Sequence, residues 1–141
     1  MLPESPDQQS RRGKDLALEQ VESVLRLPGP KRYEHFIKQV ADREEVWGLY
    51  SDGWALAGTD EGEEAFPLWP AREYAALCAT GAWSSYSPKG IPLEDLLEAL
   101  LPRLTDDNAL AGVFPTPDHK GVTVAPDQLL NDLRAECGRY K

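Results

Sequence analysis

The sequence predicts an α+β protein, with a mixed or antiparallel sheet of about five strands and helices packed against it. Three observations predict this class. Several stretches carry apolar residues at helical spacing, short apolar runs lie between them, and proline or glycine separates most segments. The predicted order is helix, helix, three strands, helix, helix, two strands, helix. This order is typical of helices that cover a sheet built from a meander and a second hairpin.

Two helices are predicted at the start of the chain. The first begins at Asp15 and ends near Leu27, because a Pro-Gly-Pro run follows it. The second opens after Pro30. Its polar side, which includes Arg32 and His35, is expected to face the solvent.

The next segment predicts a β-hairpin. Strands at 46–51 and 54–58 are joined by Asp52-Gly53, a pair that favours a type I′ turn. A two-residue loop fixes the register and places Leu49 opposite Leu56.

A third strand is predicted at 64–68. It contains Pro67, which cannot donate to a ladder, so the strand is expected to lie at an edge or to end there. The remaining predicted elements are a helix at 69–81, a loop at 83–90, a helix at 93–104 that Pro102 ends or bends, a hairpin of 110–114 with 121–125, and a helix from Pro126.

A chain of 141 residues fits one domain with one core. We predict a disordered tail at 1–12, an N-terminal helical arm at 13–28 and a single α+β domain at 29–141. Cys78 and Cys137 are typical of buried thiols in a reducing compartment. Neither a signal peptide nor an apolar run of ~20 residues is visible, so the protein is expected to be cytoplasmic.

Charge is concentrated in one segment, 44–71. This segment holds seven acids and no Lys, Arg or His, whereas the rest of the chain has 17 acids against 15 bases. It also holds three of the four tryptophans. Acids beside large apolar side chains suit a basic protein partner, while the net charge of −9 argues against nucleic acid and anionic membranes.

Residues that carry chemistry are scarce. His35 and His119 are the two histidines, and both are interpreted as surface residues. There is no His-x-x-x-His or Cys-x-x-Cys pair, no glycine-rich phosphate loop and no EF-hand spacing among the acids. We therefore predict no catalytic residue, no metal and no cofactor.

The acid cluster has three interpretations: a solvated turn, a protein-binding surface, or a site for a cation or for carboxylate catalysis. Trp69 and Trp83 lie at predicted helix and loop junctions and are the best candidates for a partly exposed aromatic rim. The residues predicted to bind a partner are Asp52, Asp60, Glu61, Glu63, Glu64, Trp69, Tyr74 and Trp83.

Four runs carry a resemblance to a known family. They are VWGLY at 46–50, DGWALA at 52–57, FPLWP at 66–70 and YAALC at 74–78. Over roughly 31–140 the chain resembles an uncharacterised bacterial family, known only as a domain of unknown function. This resemblance implies no catalytic or cofactor-binding residue. A fainter similarity in plan links the chain to the N-terminal domain of SseB-type secretion-associated proteins, and it implies a binding module rather than an enzyme.

We therefore expect a small binding protein, with an immunity or antitoxin-like inhibitor of a basic partner as one concrete form. The alternative is a small-molecule binder or hydrolase-like enzyme with an aromatic, acid-lined pocket near Trp69, Tyr74 and Trp83. A third expectation is a homo-oligomer in which the arm packs on a neighbouring copy through 13–27. Exposed acids on a flat or convex face favour the first, and buried carboxylates around a cavity favour the second.

Overall fold

The computed structural model describes residues 18–59 and 61–138, which form helices and two β-sheets. The α+β class is confirmed. The expected tail at 1–12 and the expected helix start at Asp15 lie outside the described residues. The helices are α1 (Leu18–Leu25), α2 (Gly29–Arg43), α3 (Arg72–Leu77), α4 (93–106) and α5 (Pro126–Gly138), with a 3-10 turn at Gly81–Trp83. The strands are β1 (Glu45–Tyr50), β2 (Ala57–Gly58), β3 (Glu64–Leu68), β4 (Ser87–Pro92), β5 (Leu110–Val113) and β6 (Val122–Val124).

The two sheets meet edge to edge. The larger sheet has the order β2-β3-β5-β6, in which β3 and β5 are parallel and the other pairs are antiparallel. The smaller sheet pairs β1 with β4 antiparallel. The backbone N–H of Trp47 donates to the carbonyl of Trp69 at 2.9 Å, and the N–H of Trp69 donates back to Trp47 at 2.8 Å. This reciprocal pair joins β1 to the end of β3.

The predicted hairpin of 46–51 with 54–58 is wrong beyond its turn. Asp52 adopts the left-handed φ of 56° and the chain reverses, but Tyr50 and Trp54 form only one isolated bridge. The chain then leaves β1, and β2 pairs with β3 instead. The partner of β1 is β4, in the segment that the sequence analysis placed in a loop at 83–90. Leu56 therefore does not face Leu49 and is exposed.

Strand β3 is not an edge strand, which corrects the expectation based on Pro67. It has β2 on one side and β5 on the other. The carbonyl of Leu68 accepts from Phe114 on the β5 side, so the missing N–H of Pro67 points to the opposite side. On that side β2 pairs only with Glu64 and Ala65, so proline interrupts no ladder bond there.

Helix α4 continues through Pro102 rather than ending at it. Its parts are an α-helical turn at Leu93–Asp95, a π-helical turn at Leu96–Leu100 and an α-helix at Leu101–Asp106. A proline lacks the N–H of a regular helix and its ring crowds the preceding turn. The π turn is wider than an α-helical turn and lies directly before Pro102, so it makes room for the proline ring. The helix therefore continues through Pro102 without a break.

Helices α2, α4 and α5 pack on one face of the larger sheet, whereas α3 packs on the smaller sheet. Side chains alternate along β3, so Phe66 and Leu68 point to one face and Ala65 and Pro67 to the other. The first pair belongs to the core, together with fully buried leucines of α4 and α5. Val21 and Val24 of α1 belong to the same core, so the N-terminal helix packs on its own chain. An arm packed on a neighbouring copy remains a prediction.

Arg32 lies inside the protein, although the sequence analysis expected it to face the solvent. It is 4% exposed, and burial lowers the pKa of its guanidinium from the ordinary value. Its Nη1 donates to the carbonyl of Leu27 at 2.8 Å, its Nε to Phe114 at 3.2 Å and its Nη2 to Lys120 at 3.4 Å. One side chain of α2 thus holds the turn before it and both ends of the β5–β6 loop.

We predict that Arg32→Met lowers the free energy of unfolding by about 3 kcal/mol, because three carbonyls lose a charged donor. Urea unfolding followed by tryptophan fluorescence measures this loss. The matched control is Arg26→Met, which removes an exposed arginine of the same type and should change stability by less than about 0.5 kcal/mol. Equal stability of the two variants would contradict the role given to Arg32.

Candidate functional site

The acids of the predicted binding surface lie on an ordered turn. We call residues 59 and 61–64 the acidic turn; Asp60 lies outside the described residues. Thr59 donates its N–H to the carbonyl of Glu63 at 2.8 Å and accepts from Gly62 at 3.1 Å. Its Oγ1 accepts from the N–H of Glu63 at 3.1 Å. Gly62 has φ of 87°, a conformation that favours glycine, so the sequence fixes this turn locally.

The carboxylates of the acidic turn face the solvent. Glu61, Glu63 and Glu64 are exposed, and so is Asp52 in the turn after β1. The ion pairs between described residues join Lys31 to Glu34 and Arg103 to Asp107, and neither includes an acid of the turn. The negative charge of this segment is therefore open to a partner rather than neutralised within the described chain.

One groove brings two of the predicted site residues together. It has a volume of about 490 Å³ and lies on the helix-free face of the larger sheet. Ala65, Pro67 and Gly112 line it from the sheet, and Trp83 and Glu61 line it as well. We call this the Trp83 groove. A Cβ placed on Gly112 would meet the Cβ of Ala65 at 3.4 Å, so the groove depends on small side chains.

Trp69 and Tyr74 lie in the core, which corrects their prediction as partner-binding residues. Trp69 is 0% exposed and Tyr74 is 1% exposed. The indole N–H of Trp69 donates to the carbonyl of Pro115 at 2.8 Å, and the ring of Trp83 covers it edge-on at 6.2 Å. The half-buried Trp83 therefore presents the accessible indole of this pair.

His35 is half-buried, although a surface position was expected. Its ring lies 6.5 Å from the ring of Tyr74 and 6.3 Å from that of Phe114. Burial and the charge of Arg43 lower the pKa of His35, so its neutral form is favoured. Burial likewise raises the pKa of Tyr74 to about 12. These rings pack against each other and support the core.

A second groove lies on the helix-covered face of the sheet. It has a volume of about 650 Å³, and we call it the Trp54 groove. Its rim includes Glu64 of the acidic turn, as well as Lys89, whose Nζ lies 4.1 Å from the ring centroid of Tyr50. Its apolar lining includes Trp54, Leu56, Phe66, Ile91, Leu100 and Leu104.

The sequence analysis missed residues in both grooves. Asp118 and His119 line the Trp83 groove, but they come from the β5–β6 loop, far along the chain from Glu61. Leu56 lines the Trp54 groove because the hairpin that would have buried it stops after one bridge. The Pro-Thr-Pro-Asp run at 115–118 was the available signal for an ordered loop.

The described residues contain neither a cluster of metal ligands nor a membrane-spanning helix. Within 18–59 and 61–138, no group of three or more His, Cys, Asp and Glu side chains is placed to hold a metal ion. In the same part of the chain, no helix has the length and apolar character needed to cross a membrane.

The fold and the grooves define a class of protein: a small α+β domain with an exposed acidic turn between two surface grooves. Residues 33–133 match DUF2750, a family described as proteins of unknown function, and the chain belongs to this family. The matched range begins in α2, ends in α5 and includes both sheets. No curated protein and no solved structure matches the chain significantly.

We predict that Cys78 reacts slowly with thiol reagents. Burial raises the pKa of Cys78 to about 11, and its Sγ–H donates to the carbonyl of Pro115 at 3.4 Å. In a Cys137→Ser variant at pH 8, the folded protein should therefore react about two orders of magnitude more slowly than the urea-unfolded protein. A Cys78→Ser variant reports on Cys137 alone. Equal rates for folded and unfolded Cys137→Ser protein would contradict a buried, protonated thiol.

Proposed function

We propose that this protein is a non-catalytic binding module that receives a basic protein partner on its acidic turn. The observation that carries the proposal is the exposure of Glu61, Glu63 and Glu64 on a hydrogen-bonded turn, without an ion pair among the described residues. Such charges attract a basic surface before contact and need little reorganisation on binding. Asp52 extends the negative surface, and Asp60 adds a further acid to the same turn in sequence.

Trp83 is the aromatic anchor of the proposed surface. It is half-buried and lines the same groove as Glu61. Tryptophans with one face packed and one face accessible are frequent centres of binding energy in interfaces. A basic side chain of the partner would meet the indole face and a carboxylate together.

One concrete form of the proposal is an immunity or antitoxin-like inhibitor in the bacterial cytoplasm. A small acidic domain can cover a basic active surface without supplying any chemistry of its own. The similarity in plan to the N-terminal domain of SseB-type proteins, read from the order of elements in the sequence, favours binding over catalysis.

A second candidate is a small-molecule binder or hydrolase-like enzyme. One observation favours it: Glu61, Asp118, His119 and Trp83 line the same groove of about 490 Å³. Carboxylates and an imidazole around an aromatic wall could bind and polarise a small ligand. The acids at this groove are exposed at its rim, however, whereas an acid-lined pocket for chemistry favours buried carboxylates.

We predict that the variant Glu61→Ser, Glu63→Ser, Glu64→Ser loses most of the basic protein that the wild type retains from a native lysate. The matched control is Glu22→Ser, Glu98→Ser, Asp106→Ser, which removes the same charge from exposed sites on two other elements, α1 and α4. The control should retain the partner, and binding by the wild type should fall as salt rises. Equal recovery by the two triple variants would contradict the acidic turn as the binding site.

A substitution at Gly112 distinguishes the two candidate functions. We predict that Gly112→Val fills the Trp83 groove from its floor while leaving every charge in place. A small ligand would lose its site, whereas a protein held by the exposed turn would retain at least about half of its binding. Loss of a protein partner in Gly112→Val, with an unchanged melting temperature, would instead place the contact inside the groove.

A further inference from the structure

We propose that the Trp54 groove binds the apolar face of a basic amphipathic helix of the partner protein. The inference deepens the proposed function and rests on it for the positive charge of the partner. It concerns a different groove, on the opposite face of the sheet from Trp83. It can therefore fail while the acidic turn remains a binding site.

The first argument is exposed apolar surface. Leu56 is 43% exposed and Tyr50 is 36% exposed, and both lie at or beside the Trp54 groove. Among described residues, the other large apolar side chain with comparable exposure is Leu77, at 42%, which lines neither groove. Apolar groups gathered in one concave surface indicate contact with another apolar surface.

The second argument is the shape of the groove. One wall comes from α4, through Ala99, Leu100 and Leu104, and the facing wall comes from the irregular segment that carries Trp54 and Leu56. A helix presents apolar side chains in one line, at positions i, i+3 or i+4, and i+7. Such a line of apolar side chains can contact the lining residues of α4 and those of the irregular segment together.

The third argument is the charge at the rim. Arg103 is paired with Asp107 at 3.9 Å, and Lys89 lies over the rings of Tyr50 and Trp54. Glu64 and Asp95 also line the groove, and neither has an ion pair among the described residues. The charged side chains that line the groove are two cations and three anions, a net charge of −1, which favours lysines or arginines along the polar edge of the bound helix.

The test uses a synthetic peptide as the probe. The peptide contains Leu and Lys, with leucines placed on one helical face; a second peptide has the same composition in scrambled order, and a third has Glu in place of Lys. Amide chemical shifts of the full chain locate each contact. We expect the Leu/Lys helix to shift amides at Leu56, Ile91 and Ala99, and the scrambled and Glu peptides to bind at least about fivefold more weakly.

Two matched variants decide the site. Leu56→Ser and Leu77→Ser remove the same side chain at nearly equal exposure, but only Leu56 lines the groove. Leu56→Ser should weaken the Leu/Lys helix about fivefold or more, whereas Leu77→Ser should leave its affinity unchanged. Ala99→Lys places a cation in the groove from the exposed side of α4 and should weaken the same peptide without disturbing the fold.

The possible contrary results show which of the two proposals fails. Equal affinity of Leu56→Ser and Leu77→Ser, or equal binding of the helical and scrambled peptides, would overturn the groove as a helix site. If the acidic-turn triple variant weakens binding of the lysate partner while Leu56→Ser and Ala99→Lys do not change the peptide affinity, the proposed function stands and this inference falls. If the peptide binds the groove but the triple variant keeps its lysate partner, the groove is a helix site and the acidic turn is not the binding surface.

Discussion

Buried carbonyls of the β5–β6 loop are the constraint on which the arrangement of the sites depends. A loop folded against a core must find donors for its backbone oxygens, or it loses the hydrogen bonds that water would have supplied. Here the donors are side chains from other elements: Arg32 bonds Phe114 and Lys120, and Trp69 and Cys78 both donate to Pro115. The loop is thereby held as one side of the Trp83 groove, and α2 and the end of β3 are held with it.

Trp54 is a central packing contact on the opposite face of the larger sheet, where the Trp54 groove lies. A Cβ on Gly48 would lie 2.9 Å from the ring of Trp54, so the indole rests directly on the backbone of β1. Its ring also lies 5.5 Å from that of Phe66 and 5.1 Å from that of Tyr50. The backbone of Trp47 bonds Trp69 on the edge of β1 that the hairpin would have used, so the ladder after the turn ends at one bridge. The chain leaves the strand, Leu56 stays exposed and the Trp54 groove remains open.

Local patterns predicted much of the fold, and contacts distant in sequence explain the rest. Helical spacing and prolines indicated α2, α4 and α5, and Asp52-Gly53 indicated a turn. The pairing of β1 with β4 was not visible, because Pro88, Gly90 and Pro92 give β4 the composition of a loop. The buried position of Arg32 could not be inferred either, since its acceptors lie 5, 82 and 88 residues away. The exposure of the acids in the candidate site followed from their local sequence. Trp69 was assigned to the surface because its partner, Pro115, is distant in sequence.

The acids of the turn are divided between two grooves, and this division limits how a partner can contact them. Glu61 lines the Trp83 groove from the turn, and Glu64 lines the Trp54 groove because it shares a face of β3 with Phe66. At physiological ionic strength a charge is screened beyond about 8 Å, so these carboxylates act on a partner only when it is near the turn. In the proposed complex they would therefore govern the rate and orientation of encounter, while the lifetime of the complex would depend on apolar contact. Since the turn separates the grooves, a partner that gains both contributions must enclose the turn rather than lie on one face of the sheet.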